Sequence, residues 1–116
     1  MVSPSSASLV LSAGRSTVGD LFHSVAAAYP GRIALQDEGI SLSYAELESR
    51  SNRLASYLVN RGVQPGDRIA VLSRNRFEYF ELLLAAAKTG AILAALNWRL
   101  LDGELEHCVN LVSPRL

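Results

Sequence analysis

At 116 residues the chain has room for one ordinary domain and is too short for two. A hydrophobic fraction of 49% with 19% charge excludes intrinsic disorder, and eleven basic against eleven acidic residues leave no electrostatic case for nucleic acid or an anionic membrane surface. The single cysteine, Cys108, excludes a disulfide framework, and no apolar run approaches the ~20 residues of a membrane-spanning helix.

Residues 1–16 are Ser-rich, with one Arg and no acid, which faintly suggests an organelle transit segment. They lack a basic stretch followed by an apolar core, so the expectation is a disordered leader, with the cytoplasm as default location. From Thr17 an amphipathic helix is predicted, its apolar face made by Val18, Leu21, Phe22, Val25, Ala26 and Tyr29. Thr17 or Ser16 caps it, Asp20 complements its positive end, and Pro30-Gly31 stops it. Arg32–Gln36 and Ile40–Ser43, joined through Asp37-Glu38-Gly39, read as a β-hairpin.

Ser43-Tyr44-Ala45-Glu46 has the spacing of a capping box and opens a long helix to about Arg61, with Gly62 just past its end. Leu47, Leu54, Ala55 and Leu58 form its buried face, and Glu46, Glu48, Arg50, Arg53 and Asn60 its solvated one. The turn Pro65-Gly66-Asp67 launches a strand over 68–73. The helix from Arg76 to Thr89 is apolar almost all round, which predicts a buried layer, and Gly90 closes it. Ala91–Leu96 is a strand without polar alternation, the signature of a covered parallel sheet. Together these make one βαβ unit, with a right-handed crossover expected. Asp102 then caps a last helix whose face is Leu105, Cys108, Val109 and Val112; Ser113-Pro114 ends it, and Arg115-Leu116 read as the entry to another strand. The fold class is α/β: an N-terminal helix, a β-hairpin, then a βαβ unit of a partial parallel sheet with helices.

Five segments, in order, resemble the adenylate-forming (AMP-binding) enzymes: acyl-CoA synthetases, peptide-synthetase adenylation domains and luciferases. Leu42-Ser43-Tyr44-Ala45-Glu46-Leu47 resembles their first core motif, and Gly62 to Ala70 their loop and strand after the long helix. Asn75 and Glu78 match an Asn-x-x-Glu step, and Ala87-Lys88-Thr89-Gly90-Ala91 the second core motif. Leu96-Asn97-Trp98-Arg99-Leu100, with Glu104-Leu105 beyond, has the form of the fatty acyl-CoA ligase branch. The resemblance runs over 17–116 as the N-terminal part of a ligase large domain. It implies ATP, Mg2+ and CoA for the complete enzyme, and conversion of a fatty acid through an acyl-adenylate to an acyl-CoA.

The family's phosphate loop, ending in Pro-Lys, and its later catalytic motifs do not occur in these residues, so the resemblance assigns no catalytic, cofactor-binding or metal-binding residue here. It implies a structural piece, inactive alone, whose partner is the remainder of the ligase. The strand 91–96 would otherwise leave an exposed sheet edge open to self-association and leave the isolated chain marginally stable. The competing readings are a non-catalytic interaction module or degenerate relative that joins a full-length ligase, a small nucleotide-binding protein in its own right and, within the family, an aryl-CoA ligase or other adenylating enzyme.

The remaining local features favour structural roles. Gly14-x-x-x-x-Gly19 has phosphate-loop spacing, but Asp20 and Leu21 stand where Lys and Ser or Thr are required. His23 has no ligand partner at helical spacing, and His107 and Cys108 point ~100° apart on a helix. Asp37-Glu38 suits a turn better than paired-carboxylate catalysis. Arg74-Asn75-Arg76 and Asn97-Trp98-Arg99 stand at the C-terminal ends of the two parallel strands, where open α/β sheets place ligands. Capping by Asn75, solvated arginines and interdomain packing by Trp98 are the plainer readings of those two segments.

Overall fold

The computed structural model describes Gly14 and residues 16–116, so most of the expected leader, 1–16, lies outside the described residues. Helix α1 (Val18–Ala28) is followed by β1 (Ile33–Asp37), β2 (Ile40–Ser43) and α2 (Tyr44–Asn60). Then come β3 (Arg68–Leu72), α3 (Phe77–Thr89), β4 (Ile92–Leu96) and α4 (Asp102–Val112). The predicted element order and α/β class are those observed.

β1 and β2 pair antiparallel around Glu38-Gly39, with Asp37 opposite Ile40 and an irregularity between Ile33 and Leu35. β3 and β4 pair parallel, Arg68 with Ile92 through Leu72 with Leu96. Both helices flanking that step follow local chemistry. Ser43 Oγ accepts the Glu46 amide at 3.1 Å while Glu46 Oε1 accepts the Ser43 amide at 3.3 Å, closing the capping box of α2. Gly90 ends α3 at φ 76, a left-handed conformation that suits glycine.

One core cluster joins Leu58, Val63, Ile69, Ala85 and Ala86, so α2, β3 and α3 meet there. A second joins Leu42, Leu47 and Leu84, with Phe22, Ala34, Leu35 and Phe77 packed on it. Leu105, Cys108, Val109 and Val112 of α4 are half-buried, as the helical spacing predicts. The edge of β3 away from β4 is also used: Arg115 N donates to Arg68 O at 2.7 Å, and Ala70 N donates to Leu116 O at 3.0 Å. Arg68 and Ala70 turn their peptide groups to that side because alternate residues of a strand do so.

Several expectations are corrected. The inward face of α1 is Gly19, Phe22, Val25 and Ala26; Val18, Leu21 and Tyr29 are exposed, and Gly19 allows α1 to approach α3 closely. Helix α3 is not buried all round: Phe80 and Leu83 are exposed, and the buried polar residue is Glu81, which accepts a hydrogen bond from Arg50. Arg50 and Glu48, read as solvated, instead point at α3 and α1. The N-cap of α3 is Arg76, without a side-chain hydrogen bond, so Asn75 does not cap it. Leu101, not Asp102, is the N-cap of α4, and Glu104 Oε1 accepts its amide at 3.4 Å.

Candidate functional site

Two polar clusters stand out. The first lies where the parallel strands end. Leu72 and Leu96 are paired across the ladder, so the segments after them, Arg74-Asn75-Arg76 and Asn97-Trp98-Arg99, emerge side by side. The Arg74 guanidinium carbon lies 4.5 Å from the centre of the Trp98 ring, and that of Arg99 lies 5.0 Å from it. Asn97 Oδ1 accepts the Arg99 amide at 3.0 Å, turning the chain out of β4. A guanidinium over an indole face is attracted by the ring's negative quadrupole, which holds two flexible cations in place. Among the described residues, Arg74, Arg76 and Arg99 have no carboxylate within ion-pair distance. Trp98 itself stays 42% exposed. The arrangement presents fixed positive charge and an aromatic surface at the C-terminal edge of a parallel sheet, suited to an anionic ligand.

The second cluster joins the three helices α1, α2 and α3. Glu48 Oε1 accepts His23 Nδ1–H at 2.9 Å, and its other oxygen is 2.8 Å from Lys88 Nζ. Lys88 also donates to Asn52 Oδ1 at 2.5 Å. Both charged side chains of the Glu48–Lys88 pair are 13% exposed. Burial pushes the Glu48 carboxyl up, but hydrogen bonds from Lys88 and His23, with the attraction of the Lys88 charge, outweigh it and hold the group below its ordinary value. These residues line an open cleft of about 690 Å³ with Thr17, Asp20 and Ser56.

The structure separates the remaining sequence candidates. Gly19 lies inside α1, and a Cβ there would meet Lys88 Cγ at 3.2 Å; the Gly14/Gly19 pair is therefore no phosphate loop. His23 does have a partner, Glu48, which sequence spacing within one helix could not reveal because the two stand 25 residues apart. Asp37 and Glu38 form the hairpin turn, where Asp37 Oδ1 accepts the Glu38 amide at 2.9 Å. His107 and Cys108 are consecutive on α4, the first exposed and the second half-buried. Among the described residues, no group of three or more His, Cys, Asp or Glu side chains converges to hold a metal ion. No helix there is long and apolar enough to cross a membrane.

Comparison with known proteins supplies the context for these clusters. A 3-oxocholest-4-en-26-oate–CoA ligase of Rhodococcus rhodochrous is 40% identical over 90 residues, covering 78% of this chain and 16% of that protein. A feruloyl-CoA synthase of an Amycolatopsis species is 44% identical over 80 residues, 69% of this chain and 16% of that protein. A solved structure from Rhodopseudomonas palustris, described as a long-chain-fatty-acid CoA ligase, superposes with a TM-score of 0.83 at 38% identity, over 85% of this chain and 25% of that one. The chain thus spans about a sixth of the length of the curated relatives it matches. The model of the AMP-binding enzyme family matches residues 22–116, and the chain belongs to that family.

Proposed function

We propose that this chain forms part of an enzyme that activates a carboxylic acid with ATP, through an acyl-adenylate, and transfers the acyl group to CoA. In that reaction a carboxylate oxygen attacks the α-phosphorus of ATP and pyrophosphate leaves. The CoA thiolate then attacks the acyl carbonyl and AMP leaves. Mg2+ would neutralise charge on the phosphates. The observation that carries the reading is the 40% and 44% identity to CoA-ligase relatives, over 90 and 80 residues of this chain.

Within that enzyme the role proposed for these residues is structural, with no catalytic residue among them. Arg74, Arg76 and Arg99 add positive potential to the sheet edge, where phosphate-bearing substrates would gain from it. The acid favoured is a fatty or steroid-side-chain acid, supported by the names of the Rhodococcus relative and the Rhodopseudomonas structure. An aryl acid is the second reading, favoured by the higher identity to the feruloyl-CoA synthase. The proposed partner is the rest of a ligase polypeptide, received along the outer edge of β4; the isolated chain would use that edge to self-associate. Among the described residues the order β3–β4 leaves that edge without a paired strand, and Ile92 and Ala95 of β4 are exposed.

The test is a chimera in which residues 17–116 replace the matching stretch of the Rhodococcus relative, assayed for acyl-CoA formation from a long-chain acid, a 3-oxo-steroid acid and ferulate. Activity on the aliphatic acids supports the reading, and activity on ferulate alone transfers it to the aryl branch. The isolated 116 residues are expected to release no pyrophosphate from ATP with any of the three acids; release would refute the structural role.

A further inference from the structure

Helix α1 is joined to the rest of the molecule in an unusual way. Its apolar contribution is small: Gly19 and Ala26 are buried, Phe22 and Val25 are half-buried, and Val18 and Leu21 face outward. Phe22 packs on the Leu42, Leu47 and Leu84 cluster with its ring 5.8 Å from that of Tyr44, and the polar contact from α3 is Lys88. The Lys88 stem passes so close to Gly19 that a Cβ there would lie 3.2 Å from Lys88 Cγ and 3.5 Å from its Cα. The Lys88 ammonium is 5.9 Å from the centre of the Phe22 ring, and its charge is balanced by Glu48, which also takes the His23 hydrogen bond from α1. Asn52, one turn along α2 from Glu48, accepts the third contact of the ammonium. The His23–Glu48 bond is the one side-chain hydrogen bond seen between α1 and another element among the described residues.

We propose that Lys88 and Glu48 form a latch that docks α1 onto the α2–α3 pair, so that α1 opens as a unit while the βαβ core stays folded. The argument rests on how the energy is distributed. Local opening is cheapest where few apolar contacts are lost, and α1 loses only Phe22, Val25 and Ala26 from the core side. The remaining attachment is a nearly enclosed ion pair, flanked by the His23–Glu48 and Lys88–Asn52 hydrogen bonds, the type of contact that fails sharply when one member is removed. Around Glu48 stand Lys88 from α3, His23 and Asp20 from α1, and Asn52 from its own helix; removing the carboxylate charge leaves Lys88 with Asn52 alone. The ends are consistent with this motion. Thr17 caps α1 by its own capping box with Asp20, so the helix can persist once undocked. Pro30 and Arg32, just past it, are pinned to the first turn of α2 through Ala45 N–Pro30 O at 3.1 Å and Tyr44 N–Arg32 O at 2.9 Å, placing the hinge near Tyr29–Pro30.

Amide hydrogen exchange of the 116-residue chain, read residue by residue, tests this. In the parent, the α1 amides, Leu21 to Tyr29, are expected to exchange through an opening about tenfold or more easier than that of β3 and the centre of α3, and Glu48→Gln and Lys88→Met should ease it by about a further tenfold. The double variant should fall no further than the worse single one, because both remove the same contact. His23→Ala, an exposed change that leaves the ion pair in place, should lower α1 protection by a few-fold only. Equal protection of α1 in the parent and all variants would overturn the latch. So would α1 protection equal to that of β3 and the centre of α3 in the parent, or unfolding of both charge variants, since the pair would then hold the whole domain rather than α1.

Discussion

The Arg74 guanidinium sits 4.5 Å from the centre of the Trp98 ring, tying the segment after β3 to the segment after β4. Arg99 reaches the same ring at 5.0 Å. The stack fixes the relative position of two loops that share no backbone ladder. Trp98 is the chain's one tryptophan, so its emission reports this contact alone. Replacing Arg74 by Ala is expected to shift that emission to longer wavelength as the indole gains water, and to cost about 0.5–1 kcal/mol in urea unfolding. Arg99→Ala should act in the same direction, and an unchanged spectrum in both variants would show that the rings and cations do not stay together in solution.

Gly90 offers a sharper test of packing. Its φ of 76 is strained for any other residue, and an added Cβ would lie 3.1 Å from Pro65 Cβ. Gly66 N also donates to Gly90 O at 2.9 Å, so the two turns are locked together. Gly90→Ala therefore meets both a backbone and a steric cost, expected at about 2–4 kcal/mol in urea unfolding. Gly39, at φ 72 with nothing within 4 Å of an added Cβ, serves as control and should lose only about 1 kcal/mol.

Much of this fold is legible because its boundaries are set by local chemistry. The Ser43/Glu46 box, Gly62, Pro65-Gly66 and Gly90 each act within a few residues of where they stand, so element order follows from the chain itself. The misreadings share one cause. Glu48, Arg50, His23 and Glu81 carry ionisable groups at positions whose partners lie 25 to 40 residues away. On a helical wheel a charge reads as solvated; only the assembled three-helix junction shows that it is paired. The same limit explains α1: large apolar residues suggest the inner face, whereas close approach to Lys88 selects Gly19. The Arg74–Trp98 stack was foreseeable only as a location, the shared strand edge, and not as a contact.

The capping box of α2 is a separate, local prediction. Ser43 is buried, and its hydroxyl is the acceptor for the Glu46 amide. Ser43→Ala leaves that donor without its partner at the start of the longest helix. The expected loss is about 1 kcal/mol by chemical unfolding, with a smaller effect for Glu46→Ala, because the 3.3 Å return bond is the longer of the two. Equal stability of Ser43→Ala and the parent would mean that water replaces the cap.

Acid sensitivity should trace largely to Glu48. Its folded-state pKa lies below its ordinary 4.5: burial opposes ionisation, but Lys88 and His23 more than compensate. A carboxyl with a depressed folded value binds fewer protons when folded than when unfolded in that range. It contributes stability that is complete above the unfolded value and is lost as pH falls through the folded one. Unfolding followed from pH 7 downward should therefore show the parent losing stability below about pH 4.5 more steeply than Glu48→Gln. The variant begins less stable at pH 7, because Lys88 lacks its counter-charge, and the two curves converge in acid. Asp20, whose carboxylate is lowered by hydrogen bonds from the Thr17 backbone and hydroxyl, adds a slope of the same sign that survives in Glu48→Gln and disappears in Asp20→Asn. Parallel curves for the parent and Glu48→Gln throughout the acid range would show that the Glu48–Lys88 pair does not govern acid unfolding.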